Sequence, residues 1–102
     1  MFEDEFRKRL SELRTQKKVS ARDMSLSIGQ NAGYIHNIES GKALPSMSVF
    51  LFICDYLKIT PSEFFNMSVA NPERMRKLIS KLENLNSKQF DDIAAIVEDI
   101  SK

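Results

Sequence analysis

Apolar residues along this chain recur at helical rather than strand spacing. Phe6, Leu10 and Leu13 share one helical face and predict a first helix over about residues 3–17. Val19 sits in a short connection, and Ser20 is placed to cap a second helix, with Asp23 as a weaker capping-box partner. Met24 and Ile28 form the buried stripe of that helix, and Gly29 stops it. Asn31 is placed to cap a third helix, buried through Ile35 and Ile38 and ended by Gly41. Pro45 and Ser46 open a fourth, with Val49, Phe50, Ile53, Cys54 and Leu57 on or near its inner face. Thr60-Pro61 joins a cap to a proline at the first helical position, starting a one-turn helix that carries Phe64 and Phe65.

The character changes between Asn66 and Asn71, and Asn71-Pro72 marks a boundary. Helical spacing then resumes through Met75, Leu78, Ile79, Leu82 and Leu85. Asn86-Ser87 interrupts it, with Ser87 the expected cap of a last helix that has Phe90, Ile93, Ala94, Val97 and Ile100 on one side. The pattern therefore predicts an all-α protein: a five-helix bundle over residues 1–66 and a C-terminal helical hairpin over residues 72–102. The hairpin's stripes need a partner, either the first domain or the hairpin of a second subunit, and Leu78, Leu82, Leu85, Phe90, Ile93 and Val97 are the expected dimerisation residues.

Composition adds little to the fold but narrows function. The chain of 102 residues is 42% hydrophobic and 28% charged, a globular balance rather than a disordered one. The longest apolar run, Val49 to Cys54, is far too short to span a bilayer. A single cysteine allows no intrachain disulfide, and with no signal-peptide pattern at the start the expected location is the cytoplasm. Cys54 itself is expected to be a buried, inert thiol. Net charge is only +1, yet Arg7, Lys8, Arg9, Arg14, Lys17, Lys18 and Arg22 crowd the first quarter of the chain. Local placement of charge, not the sum, is what attracts phosphate. Glu3, Asp4 and Glu5 offset these cations and suit the positive end of the first helix.

Two short helices joined by a glycine turn, Ser20 to Ile28 and then Asn31 to Glu39, match helix-turn-helix spacing. The segment Tyr34-Ile35-His36-Asn37-Ile38-Glu39-Ser40-Gly41-Lys42, followed by Pro45-Ser46, resembles the second half of that motif in the lambda/434 repressor and Cro (XRE-type) family. Thr60-Pro61-Ser62-Glu63-Phe64-Phe65 is similar to the family's closing helix, so the resemblance covers about residues 3–65. It implies a third helix lying in the major groove of double-stranded DNA, with Asn31, Ala32, Gly33, His36 and Asn37 facing base edges. Asn37 would suit adenine and Ala32 a thymine methyl, while Gly33 would let the backbone approach. The resemblance gives phosphate positioning to Ser20, Tyr34, Ser40 and Lys42, with Lys17 and Lys18 nearby, helped by helix N-termini at Ala21 and Ala32. It also implies a structural ion pair between Arg14 and Glu39, since a carboxylate facing DNA would be repelled by phosphate. The chain departs from the family in carrying Ala21 where many members have a phosphate-contacting glutamine, and in a third helix poor in Arg and Lys.

The expected function is that of a repressor-like transcriptional regulator acting as a homodimer on a near-palindromic operator. The alternative is a protein-interaction module of antitoxin or antirepressor type built on the same fold. No Ser/His/Asp or Cys/His arrangement, metal-ligand spacing or glycine-rich phosphate loop points to an enzyme, a metal or a cofactor. Asp91 and Asp92 are adjacent on a helix and point different ways.

Overall fold

The computed structural model describes residues 2–102, and among them every regular element is a helix. The helices are α1 Phe2–Gln16, α2 Ala21–Ser27, α3 Tyr34–Glu39, α4 Met47–Leu57, α5 Pro61–Phe65, α6 Pro72–Glu83 and α7 Ser87–Ile100. By internal contacts the chain divides into two units, residues 1–72 and 73–102.

Local chemistry accounts for most of the helix starts in the first unit. The Ser20 hydroxyl accepts from Asp23 N–H at 2.9 Å, and the Ser46 hydroxyl from Val49 N–H at 3.2 Å. Thr60 and Glu63 close a reciprocal capping box around Pro61, with N–H to oxygen distances of 2.9 and 3.1 Å. The third helix differs from expectation. Asn31 does not cap it; α3 begins at Tyr34, and Asn31 Oδ1 instead accepts from Gly33 N–H at 3.1 Å in a turn that precedes the helix.

The core is built from Leu10, Leu13, Met24, Ile35, Ile38, Phe50, Ile53, Cys54, Leu57 and Phe64. Ile28, expected inside, is only partly buried because it forms the C-cap of α2, where the chain turns away through Gly29 at φ +78°. Phe6, Phe50, Phe64 and Phe65 make an aromatic cluster with centroids 5.0–6.2 Å apart, joining α1, α4 and α5. Phe65 lies at its edge, exposed on its outer side.

One buried cation completes this unit. Arg9 is 2% exposed and donates from Nε to Phe64 O at 2.7 Å and from a terminal nitrogen to Glu63 O at 2.9 Å. These carbonyls close the one-turn α5, so Arg9 ties that helix to α1. Burial lowers the Arg9 pKa, an effect that nearby Glu12 opposes.

In the second unit, α7 is capped by Asn86 rather than Ser87. Asn86 Oδ1 accepts from Gln89 N–H at 2.8 Å, and Gln89 Oε1 accepts from Asn86 N–H at 3.2 Å. The side-chain oxygen of Asn86 accepts while its backbone N–H donates to Gln89 three residues on, which closes the box one residue earlier than expected. No residue of α7 is buried. Leu82 and Leu85 are half-buried near the connection, while Leu78, Phe90, Ile93 and Val97 are exposed.

Candidate nucleic-acid interface

The geometry of α2 and α3 is set by two polar locks as well as by the core. Ser25, completely buried on α2, donates to Ala21 O at 2.7 Å and accepts from Ile35 N–H at 2.9 Å. Its hydroxyl thus satisfies a first-turn amide of α3 that lacks an intrahelical partner. The second lock is Arg14, whose Nε lies 2.9 Å from Glu39 Oε2 and whose Nη2 donates to Glu39 Oε1 at 3.0 Å. A further guanidinium nitrogen donates to Val19 O at 2.9 Å, so one side chain joins the end of α1, the α1–α2 connection and the last residue of α3. The two side chains are 19% and 13% exposed, which protects this bidentate pair from solvent screening.

With Ile35 and Ile38 facing inward at zero exposure, His36 and Asn37 stand on the outer side of α3. Asn31 and Gly33 are exposed in the preceding turn and Ala32 is half-buried there. Ser40 and Lys42 follow immediately: the Ser40 hydroxyl donates to Asn37 O at 3.3 Å and Lys42 N–H to the same oxygen at 2.9 Å. Apart from the half-buried Ala32, these residues are exposed, from the turn before α3, along its outer side, to the turn after it. Tyr34 is half-buried beside it, and burial raises the pKa of its phenol. Lys17, Lys18 and Ser20 are exposed on the α1–α2 connection. Lys18 takes a left-handed conformation there at φ +60°, and the Lys17 ammonium lies 5.7 Å from the Tyr56 ring centroid.

One expectation about phosphate recognition needs correction. The N-terminus of α3 is not at Ala32, and its leading amides are engaged within the protein. Gly33 N–H goes to Asn31 Oδ1, Tyr34 N–H to Asn31 O at 3.1 Å and Ile35 N–H to Ser25. That leaves α2, which does begin at Ala21, as the motif's helix start with an exposed cap. Of the basic residues crowded into the first quarter of the chain, three are engaged within the protein. Arg9 is inside, Arg14 is bound to Glu39, and Arg7 pairs with Asp4 while its guanidinium lies against Gly41.

Ser25 and Arg9 were not singled out from the sequence. Arg9 carried a usable signal, because it falls three residues after Phe6 and four before Leu13, inside the apolar stripe of α1. Ser25 carried none, since a serine at mid-helix is uninformative without its long-range partner.

Other features of the first unit do not suggest chemistry. Burial pushes the Cys54 thiol up to about 11, which keeps it protonated and unreactive. An open apolar cleft of about 340 Å³ between α1, the α3–α4 connection, α4 and α5 is lined mainly by Phe2, Phe6, Leu44, Met47, Phe50 and Phe65. Among the described residues no group of three or more His, Cys, Asp or Glu side chains could hold a metal ion, and no helix is long and apolar enough to cross a membrane.

Comparison with known proteins gives one match, to the helix-turn-helix domain family over residues 8–68. No curated protein and no solved structure matches the chain. The matched stretch takes in both polar locks and every helix from α2 to α5, and leaves out only the start of α1 from the five-helix bundle. On that match, which spans more than half of its length, the chain belongs to the helix-turn-helix family of XRE/Cro-like type.

Proposed function

We propose that this protein is a sequence-specific transcriptional regulator, repressor-like, that binds double-stranded DNA as a homodimer on a near-palindromic operator. Its helix-turn-helix domain supports a DNA-binding regulator in general. The observation that supports the finer reading is the exposure of Asn31, Gly33, His36, Asn37, Ser40 and Lys42 on and around α3, a helix tied to α2 and α1 by Ser25 and the Arg14–Glu39 pair. In this reading α3 enters the major groove and Asn37 offers its amide to adenine. His36 supplies a second ring-borne hydrogen-bonding group, and Asn31, with Oδ1 occupied, reads through its NH₂. Gly33 and Ala32 allow close approach. Lys17, Lys18, Ser20, Tyr34, Ser40 and Lys42 fix the position on the phosphates, and two copies place their reading helices roughly 34 Å apart.

Selection of bound sequences from a random duplex library at low salt, followed by anisotropy titrations of the winners, tests this. An enriched palindrome supports the reading. Absence of binding at any salt overturns it.

The exposed apolar faces of α6 and α7 favour one other reading, an interaction module of antitoxin or antirepressor type. A stable hetero-complex that retains no DNA at low salt would decide for it.

A further inference from the structure

The second unit has two amphipathic helices whose apolar faces are largely exposed. Met75, Leu78 and Ile79 on α6 are 42–54% exposed, and Phe90, Ile93, Ile96, Val97 and Ile100 on α7 are 41–77% exposed. Apolar stripes of this size are stable in water only when something covers them. The polar residues bordering them differ sharply in sign. Helix α6 carries Arg74, Arg76, Lys77 and Lys81 against Glu73 and Glu83, whereas α7 carries Asp91, Asp92, Glu98 and Asp99 against Lys88 alone.

The placement of these charges is regular. Residues seven apart on a helix lie along one line, about 10.5 Å apart. Arg74 and Lys81 form such a row along one edge of the α6 stripe. Asp92 and Asp99 form one along an edge of the α7 stripe, and Asp91 and Glu98 form another along the opposite edge. The basic row of α6 therefore has the same repeat as both acidic rows of α7. Because acids border both edges, the match does not depend on which way the helices run.

We propose, building on the homodimer reading above, that α6 of one copy docks on α7 of a second copy, and α6 of the second on α7 of the first. The four helices then form a bundle with the apolar stripes inside and the basic and acidic rows paired along the seams. Docking α6 on α6 would set basic rows together, and α7 on α7 would set acidic rows together, each a repulsive arrangement. The stripe residues of both helices keep 41–77% of their surface exposed, so each stripe can accept its counterpart from the other chain. Every contact in such a pairing occurs twice, as a two-fold interface requires.

Charge reversal in the full-length chain tests the pairing. Two variants are made, R74E/K81E and D91K/D92K/E98K/D99K, the second reversing both acidic rows, and sedimentation equilibrium measures self-association of each alone and of an equimolar mixture. Each variant alone sets like charges along the seam, and its dimer should weaken about tenfold or more. In the mixture both seams again join opposite charges, so a heterodimer should form within about threefold of the wild-type affinity. Recovery on mixing cannot come from misfolded chains, and far-UV circular dichroism of each variant checks helix content. A wild-type dimer that neither variant weakens, or a mixture no better than its components, overturns the pairing while leaving the homodimer reading intact. A wild-type chain that stays monomeric up to about 0.1 mM overturns that reading itself, and the pairing with it.

Discussion

Arg14 and Glu39 show how much one side-chain pair can fix. Removing the carboxylate leaves a guanidinium that is mostly withdrawn from water and bonded only to a carbonyl. Glu39→Ala should cost about 2 kcal/mol, lowering Tm by about 10 °C in thermal denaturation. A Tm equal to wild type would mean that the pair contributes nothing. Two glycines separate backbone strain from DNA approach. Gly29 has φ +78° with nothing near a hypothetical Cβ, so Gly29→Ala should lose about 1–2 kcal/mol from conformation alone. At Gly33 φ is −94° and a Cβ would meet only Asn31 Oδ1 at 3.8 Å, so Gly33→Ala should keep stability within about 0.5 kcal/mol. A drop in operator affinity in that stable variant would locate the close backbone approach. Cys54 is the third case, with a folded-state pKa above its ordinary 9.0. Its thiol favours the folded state below about pH 9, and that contribution is lost as pH rises towards about 11. At pH 8, which lies below both values, a thiol reagent should label Cys54 only in denaturant, and rapid labelling of the native protein would contradict its burial.

Elements were legible in proportion to how locally they are determined. The helices opening after Ser20, Ser46 and Thr60 could be read from the sequence because each cap closes within three residues. The start of α3 could not, because its first-turn amide at Ile35 is satisfied by Ser25 ten residues away, while the nearer candidate Asn31 is engaged by Gly33. The shift of one residue at α7 has a smaller cause: Asn86 and Ser87 are both good caps, and only Asn86 has Gln89 at the reciprocal position. Of the candidate site, the exposed sides of His36 and Asn37 followed from the periodicity that buries Ile35 and Ile38. The fate of the basic residues did not, since sequence counts cations without showing which are enclosed. Arg9 makes that failure testable at the level of an element. Arg9→Met keeps length and apolar contact on α1 but removes both bonds to the α5 carbonyls. The loss should be about 3 kcal/mol in urea denaturation, with amide exchange rising first in α5. If instead the variant is as stable as wild type, the buried bonds do no more than offset the desolvation of the cation.

At the scale of the whole molecule, net charge and binding behaviour part company. With a formal charge of +1 there is little long-range pull toward DNA, so affinity must come from the few cations that reach phosphate. Arg9 and Arg14 are committed inside the protein, and Ser20, Tyr34 and Ser40, being uncharged, would contact phosphate in the proposed complex without displacing a counterion. Lys17, Lys18 and Lys42 remain as the proposed phosphate-binding cations, three in each copy. A dimer would then neutralise about six phosphates, giving a slope of log K against log salt of about −5. Between 50 and 200 mM salt that is about a thousandfold loss of affinity, within reach of anisotropy titration. A single copy would show about half the slope and lose only about thirtyfold. Lys42→Ala should reduce the dimer's slope by about two, because each copy loses one contact, while leaving the preferred sequence unchanged. A full slope in that variant would exclude Lys42 from the phosphates. A flat response in the wild-type protein would remove the electrostatic basis of the DNA-binding reading altogether.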